Sequence, residues 1–316
     1  MSDDSRFDGA HSLLAADRYR RARGFWRLLA FLALAALVLA LIGRFAFGGG
    51  PSPDRIARIV IDGTIATNPG RLRVIDELIE DDAVKAVIVA INSPGGTSAG
   101  GEEIFEALSR LRAEKPVVAV VNELAASGGY MAAIGTERIF TRRLSIVGSI
   151  GVFYQHVNAG GLLDSIGVDL ERVASGPLKG QPEFDGPITP EVRASLEELV
   201  NSSYAWFVDI VAERRGIDRA RTLRLADGRV FSGSDALEAG LVDEVGGESE
   251  AVAWLETERE IAEDLPVVTA YPRSEPGVGW LTRWLVHSAV EAFGASEGGA
   301  LPLDGLVSLW QVDFNG

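Results

Sequence analysis

The sequence predicts an α/β protein with a mainly parallel sheet, preceded by one N-terminal transmembrane helix. Apolar runs alternate with helical patterns from Arg55 to Glu123. The apolar runs are continuous in Val, Ile and Ala, as in strands that are buried on both faces of a parallel sheet. Near the N-terminus, residues 28–43 read "LLAFLALAALVLALIG" and carry no charged side chain.

The uncharged run predicts a signal anchor at residues 28–47, with a basic cytoplasmic tail at 1–27 and a linker at 48–54. At ~1.5 Å per residue, residues 28–43 span about 24 Å, so the flanking apolar residues are needed to cross a core of ~30 Å. A cleaved signal peptide is the alternative. The arginines before the run predict a cytoplasmic N-terminus, which puts the rest of the chain outside the cell membrane of a bacterium.

Charge is divided unevenly between the two parts of the chain. Residues 1–50 hold seven Arg and four Asp, which leaves 23 basic and 41 acidic side chains in residues 51–316. A body this acidic repels phosphate backbones, so nucleic acid is excluded as a partner.

The predicted domain begins with a βαβαβ unit. Strands are predicted in residues 55–65, 84–93 and 116–123, and helices in residues 73–82 and 102–115. Further strands are predicted at 145–154 and 168–175, on either side of a short helix at 161–167. A long amphipathic helix is predicted at 190–215, with Thr189 as its N-cap and Pro190 at its first position.

One α/β domain therefore covers residues 55–272, followed by a C-terminal amphipathic helix and tail at 273–316. For that tail, a packed helix and a contact with the membrane surface or another subunit are equally open. The chain has no cysteine and only three histidines, which are far apart in the sequence. Thiol catalysis, disulfides and zinc ribbons are excluded, and we expect no metal and no cofactor.

Two glycine-rich turns follow strands, at the edge of a parallel sheet where ligands gather. The turn "NSPGGTSAGG" contains Gly95 and Gly96, whose amides can bind a peptide backbone or an oxyanion, although they can also simply form a turn. The turn "ELAASGGYMAA" contains Ser127 followed by Gly128. Ser127 is either the N-cap of the next helix or a nucleophile beside the free amide of Gly128.

A serine nucleophile requires a proton acceptor, and the sequence offers few. His156 lies in "GVFYQHV", where a place on a strand face is the simpler interpretation. The chain has 27 Arg but only three Lys, at positions 85, 115 and 179. Arg cannot release its proton near neutral pH, whereas a desolvated Lys can. Lys179 follows a predicted strand in "VASGPLKG", where an ordinary surface lysine is the alternative.

These motifs together resemble the signal peptide peptidase A (SppA) family of Ser/Lys proteases. The segments "INSPGG", "ASGGY", "GSIGV", "SGPLK" and "DGRVFSGSDALEAGLVDEVGG" stand in that family's order over about residues 55–250. The resemblance implies a fold like that of Clp protease and crotonase. It implies Ser127 as nucleophile and Lys179 as general base, with Ser149 orienting the lysine. It implies that Gly96 and Gly128, together with Gly95, bind the oxyanion or the substrate backbone.

The implied function is that of a membrane-anchored serine endopeptidase that degrades signal peptide remnants and other hydrophobic peptides. Longer members of the family carry two copies of the motifs, whereas this chain carries one. We therefore expect a homo-oligomer of about four to eight subunits, in which the serine and the lysine of a site come from neighbouring subunits. The alternatives are a crotonase-like CoA enzyme and a membrane-tethered assembly protein without activity.

Overall fold

The computed structural model describes residues 26–27, 29–38 and 53–272, and the backbone of residues 307–309. The chain divides into two units, Met1–Pro53 and Asp54–Gly316. Residues 29–38 form helix α1 in the first unit. Among the described residues, no helix has both the length and the apolar composition required to cross a bilayer. Position 28 and residues 39–47 of the predicted anchor lie outside the described residues.

The second unit is built on an eight-stranded, mainly parallel sheet, as predicted. The strands run in the spatial order β7-β6-β4-β2-β1-β9, while β5 pairs with both β4 and β8. Among the described strands of this sheet, β7 alone is antiparallel to its neighbour, β6. The bounds of the sheet strands are β1 (Arg55–Asp62), β2 (Val84–Ser93), β4 (Val117–Ala126), β5 (Arg138–Thr141), β6 (Ile146–Gly148), β7 (Val230–Ser232), β8 (Glu244–Val245) and β9 (Val267–Tyr271).

A second, two-stranded sheet joins distant parts of the chain. It pairs β3 (Gly95–Thr97) antiparallel to β10 (Val307–Leu309). The rest of the predicted C-terminal helix and tail at 273–316 lies outside the described residues.

Helices cover both faces of the large sheet. Their bounds are α2 (Pro69–Glu80), α3 (Ser98–Glu114), α4 (Gly128–Ile134), α5 (Gly160–Ser165), α6 (Pro190–Arg215), α7 (Arg219–Leu225), α8 (Gly233–Ala239) and α9 (Glu248–Glu258). The predicted start of the long helix is confirmed, because the Thr189 side chain accepts a hydrogen bond from the Val192 amide at 3.4 Å. Thr97 caps α3 in the same way, through the Gly100 amide at 3.0 Å.

Burial on both faces explains the continuous apolar strands. On β2, Val87 and Val89 face the larger core, whereas Ile88 packs on the opposite side in a cluster that includes Leu255 of α9. All four side chains are fully buried. Full burial of an apolar side chain of this size stabilises the fold by about 1.5–3 kcal/mol.

Two strand predictions between the sheet and α6 need correction. The strand predicted at 145–154 is limited to β6, Ile146–Gly148. Residues 168–175 form no strand, because no strand of the described chain lies beside them to satisfy their backbone groups. Their apolar side chains point to solvent, and Val173 is 96% exposed. The short predicted helix between them is present as α5.

The end of β4 brings the motif residues together. β4 pairs with β5 over Val118–Val121 and then with β6 over Leu124–Ala126. On its other edge it pairs with β2, as far as Ser93 beside Ala125. The residues that follow β2, β4 and β6 therefore meet at one edge of the sheet, where ligands of parallel sheets gather.

Candidate active site

Ser127 lies at the sharp junction between β4 and α4. Its backbone has φ 55° and ψ −116°, a conformation that non-glycine residues rarely adopt. The Ser127 amide donates to the Gly148 carbonyl at 2.8 Å, and its carbonyl accepts from the Met131 amide at 2.9 Å. The side chain makes no capping hydrogen bond to α4. The N-cap interpretation of Ser127 is therefore wrong. Its side chain lies instead on a strand-to-helix turn whose backbone conformation is strained.

Glycines allow the backbone of α4 to approach the end of β2. A Cβ atom on Gly129 would lie 2.7 Å from the Ser93 carbonyl oxygen, so a side chain is excluded there. A Cβ atom on Gly128 would lie 3.4 Å from both the Gly95 Cα and the Gly96 nitrogen. The amide of Gly128 is the first of its helix and has no partner within it. The structure thus brings Gly128, Gly95 and Gly96 together beside Ser127.

Gly95 and Gly96 have different surroundings. The Gly95 amide donates to Ser93 Oγ at 3.1 Å, and its carbonyl accepts from the Ile65 amide at 2.8 Å. Both backbone groups of Gly95 are therefore engaged inside the protein. These contacts give Gly95 a structural role in the turn, where its φ is 104°, and its part in binding the oxyanion or the substrate backbone stays a prediction.

The backbone of Gly96 is positioned by the hydrogen bonds that its two neighbours, Gly95 and Thr97, make with Ile65. The Thr97 amide donates to the Ile65 carbonyl at 2.9 Å, so residues 95 and 97 direct their backbone groups to Ile65. Because alternate residues of a strand direct these groups to opposite edges, those of Gly96 face away from Ile65. A Cβ atom on Gly96 would lie 1.7 Å from the Ile65 carbonyl oxygen, so only glycine fits.

Ser149 follows β6 as Ser127 follows β4. Ala126 pairs with Gly148, which places the two serines side by side at the ends of neighbouring strands. Ser149 has φ 50° and is 8% exposed. Its amide donates to the Arg229 carbonyl at 2.8 Å. The two buried serines therefore lie at the same edge of the sheet.

The two candidate bases make contacts of their own within residues 156–186. Lys179 lies exposed in a turn, where its amide donates to the Gly176 carbonyl at 3.2 Å. His156 Nε2 lies 3.1 Å from the Gly186 carbonyl oxygen, in coil rather than on the predicted strand face. Both candidate bases therefore have contacts within their own part of the chain, and Lys179 is exposed there.

A largely buried ion pair between Arg71 and Glu103 lies close to the Ile65 segment that contacts β3. Glu103 Oε1 accepts hydrogen bonds from the Asn68 amide at 2.8 Å and from Arg71 Nη2 at 3.0 Å. Arg71 Nη2 also donates to the Ala66 carbonyl at 2.9 Å, next to the Ile65 that holds β3. The sequence analysis missed this network, because a charged residue on an amphipathic helix normally indicates a solvated face.

Two open cavities lie beside residues that follow β6 and β3. One of about 620 Å³ is lined by Ser149, Phe153, Val200, Tyr204 and Asp227. The other, of about 390 Å³, is lined by Ser98, Glu102, Met131, Ser203 and Trp206, and it adjoins β3 and α4. The sequence pattern alone did not identify these cavities.

The larger cavity is bordered by an ion pair between Asp227 and Arg229. Hydrogen bonds from the Arg229 side chain lower the pKa of Asp227 to about 2, so this carboxylate stays charged at neutral pH. Burial raises the pKa of Tyr204, which donates to the Ala226 carbonyl at 2.6 Å. Within the described residues, no group of three or more His, Asp or Glu side chains can hold a metal ion.

Known proteins resemble this chain over most of its length. The model of Peptidase family S49 matches residues 109–262. "Putative protease MJ0651" of Methanocaldococcus jannaschii is 35% identical over 239 residues, which are 75% of this chain and 76% of that protein. "Putative signal peptide peptidase SppA" of Enterococcus faecium is 30% identical over 256 residues, covering 77% and 73% of the two chains.

A plant relative shares a smaller part. "Serine protease SPPA, chloroplastic" of Arabidopsis thaliana is 33% identical over 216 residues, which are 63% of this chain and 32% of that protein. The resemblance to the SppA family that the sequence motifs indicated is thereby confirmed. Together with the mainly parallel sheet and the strained serine at its edge, these matches show that the chain belongs to peptidase family S49.

Proposed function

We propose that this protein is a membrane-anchored serine endopeptidase with a Ser/Lys dyad, Ser127 and Lys179, that degrades released signal peptides and other hydrophobic peptides. The observation that carries the proposal is the arrangement around Ser127. A buried hydroxyl stands on a strained strand-to-helix turn, with the amides of Gly128 and Gly96 beside it. Backbone amides at such a place stabilise the oxyanion of acyl transfer.

The reaction follows from this arrangement. Ser127 Oγ attacks the carbonyl carbon of the scissile bond while its proton passes to the neutral amine of Lys179. The amides of Gly96 and Gly128 bind the oxyanion. The lysine then returns the proton to the leaving amine, and water hydrolyses the serine ester. Ser149, which follows the strand next to that of Ser127, would hydrogen-bond the lysine and orient it.

The base comes from a neighbouring subunit in this proposal. Lys179 is exposed in its own subunit, whereas Ser127 is 1% exposed. A lysine base has to be desolvated to lose its proton near neutral pH. Lys179 is exposed among the described residues, so in this proposal a partner subunit desolvates it. The segment around it also exposes apolar side chains that a partner would cover: Val157, Leu162, Ile166, Leu170, Val173 and Phe184.

A homo-oligomer of about four to eight subunits satisfies these requirements. Each subunit would present its exposed segment to the cavity beside Ser149 of the next subunit. The predicted anchor would hold this assembly at the outer face of a bacterial cell membrane, where hydrophobic peptides leave the bilayer. The apolar substrate class follows from that location.

A fluorophosphonate probe tests the proposal against its rivals. The wild-type chain should become labelled at Ser127, and Ser127→Ala should not. A crotonase-like CoA enzyme or an inactive assembly protein would not be labelled at all. Neither rival has an observation in its favour beyond the shared fold class.

Variants test the dyad. Ser127→Ala and Lys179→Ala should each lower peptide hydrolysis to background while the circular dichroism spectrum is unchanged, and His156→Ala should retain most activity as the matched control. Mixed oligomers of the two inactive variants should recover part of the activity, because a wild-type serine and a wild-type lysine meet at some interfaces. Mixed oligomers that stay inactive would refute sharing between subunits, and an inactive His156→Ala variant would refute the lysine base.

A further inference from the structure

The cavity of about 390 Å³ is formed where the first turns of α3 and α4 lie beside α6. Its lining combines one acidic side chain with hydroxyl and apolar groups. The residues that carry the argument below are Ser98, Glu102, Met131, Val152, Ser203 and Trp206.

This cavity lies next to the proposed oxyanion donors. Ser98 is the first residue of α3 and directly follows β3, which contains Gly96. A Cβ atom on Gly101, the neighbour of Glu102, would lie 3.5 Å from the Gly128 Cα. A peptide whose scissile carbonyl is bound by the amides of Gly96 and Gly128 therefore passes beside this cavity.

Glu102 carries the only charge among the described residues that line the cavity. Its side chain forms no ion pair or hydrogen bond with another described residue, whereas its neighbour Glu103 is paired with Arg71. Ser98 Oγ is buried and also has no hydrogen-bond partner within the described ranges. The cavity thus has an uncompensated negative charge and hydroxyl groups beside it.

The remaining lining offers apolar surface. Met131 is fully buried, and Trp206 is positioned by an edge-to-face contact with Phe105, with 5.9 Å between the ring centroids. Lysine and arginine carry their charge at the end of an aliphatic chain, which packs on apolar surface while the charged group reaches a polar partner. An indole ring also attracts such a cation. A cavity with one free carboxylate and an apolar wall therefore suits a basic side chain.

We propose that this cavity binds a lysine or arginine side chain of the peptide substrate and that Glu102 selects for it. The inference rests on the proposed function and narrows its substrate class to apolar peptides that carry a basic side chain near the cleaved bond. A secretory signal peptide has a basic region directly before its apolar region, so it offers this combination.

A series of fluorogenic apolar peptides tests the preference, with the full-length protein in detergent. One lysine is moved through each position on both sides of the cleaved bond, and each peptide is matched by one with norleucine, which keeps the aliphatic chain without the ammonium group. At one position, kcat/KM should be about fivefold higher for lysine, at the upper end of the range for exposed ion pairs. Mass spectrometry of the products verifies that each pair is cut at the same bond. Equal values at every position would overturn the proposal.

Variants test the role of Glu102. Glu102→Gln should lower the lysine-to-norleucine ratio to about one, and Glu102→Lys should favour a glutamate peptide over the lysine peptide, because the charge of the cavity is reversed. Glu106→Gln is the matched control, since Glu106 is exposed on the same helix and lies outside the lining of this cavity. The ratio compares two substrates of one enzyme, so a general loss of packing does not move it. An unchanged ratio in Glu102→Gln, or an equal fall in Glu106→Gln, would contradict the assignment.

The outcomes separate this inference from the proposed function. A wild-type chain that hydrolyses lysine and norleucine peptides equally well refutes the preference alone. A wild-type chain that hydrolyses none of the peptides and does not react with the fluorophosphonate probe refutes the proposed function, and the preference with it.

Discussion

Gly96→Ala should disable catalysis through a displacement that the structure allows us to estimate. The new Cβ atom would lie 1.7 Å from the Ile65 carbonyl oxygen and 2.5 Å from its carbon. Carbon atoms pack at about 3.5–4.0 Å, so β3 or Ile65 must move by more than about 1 Å. Both contacts are with backbone, which no side-chain rotation can relieve. The Gly96 amide would leave the oxyanion position.

Loss of one oxyanion donor costs about 10²- to 10³-fold in kcat, or about 2.7–4 kcal/mol of transition-state stabilisation. We expect a loss of that size in steady-state hydrolysis of a fluorogenic peptide, with KM changed much less. Gly161→Ala is the control, because a Cβ atom at Gly161 meets no other atom within 4 Å. A folded Gly96→Ala enzyme with more than about a tenth of the wild-type kcat would refute the assignment of Gly96 to the oxyanion.

Further measurements concern the buried ion pair and pH. Glu103→Ala should lower the free energy of unfolding by about 3–5 kcal/mol in urea titrations, because it leaves the Arg71 guanidinium, 6% exposed, without its partner. Asp76→Ala, in an exposed pair, should cost less than about 1 kcal/mol, and equal losses would contradict the role of burial. The Arg229 side chain lowers the pKa of folded Asp227 to about 2, so its contribution to stability is present above the unfolded pKa of about 4 and is lost as pH falls toward 2. Asp227→Asn should therefore lower the melting temperature slightly at pH 7 and not at pH 2, and a larger effect at pH 2 would reverse this reasoning. Peptide hydrolysis should rise from neutral toward alkaline pH, since only the neutral amine of a lysine can accept the serine proton, and an acidic optimum would refute a lysine base.

The sequence predicted the fold well where burial dictates the pattern. The strands β1, β2 and β4 are continuous apolar runs because helices cover both faces of the sheet. The prediction failed at 168–175, where apolar residues indicated a strand. Sequence pattern reports that side chains are apolar, but it does not say whether a neighbouring strand is present to pair with their backbone.

The site was predicted in part. Ser127, Ser149, Gly96 and Gly128 lie near one another because they follow neighbouring parallel strands, and their roles in the site stay predictions. The engagement of the Gly95 amide depends on the rotamer of a side chain two residues earlier, which no spacing rule contains. The contacts of Ile65 with β3 were equally invisible, because they join residues that lie about 30 positions apart in unremarkable sequence.

The backbone of Ser127 has a consequence for any attempt to improve this protein by selection. A non-glycine residue at φ 55° costs about 1–3 kcal/mol, which glycine would not incur. Ser127→Gly should therefore yield a protein that is at least as resistant to heat as the parent and has lost its hydroxyl. A library screened for yield or thermal tolerance would enrich such inactive chains. Screens of this protein consequently need a readout of turnover at every round.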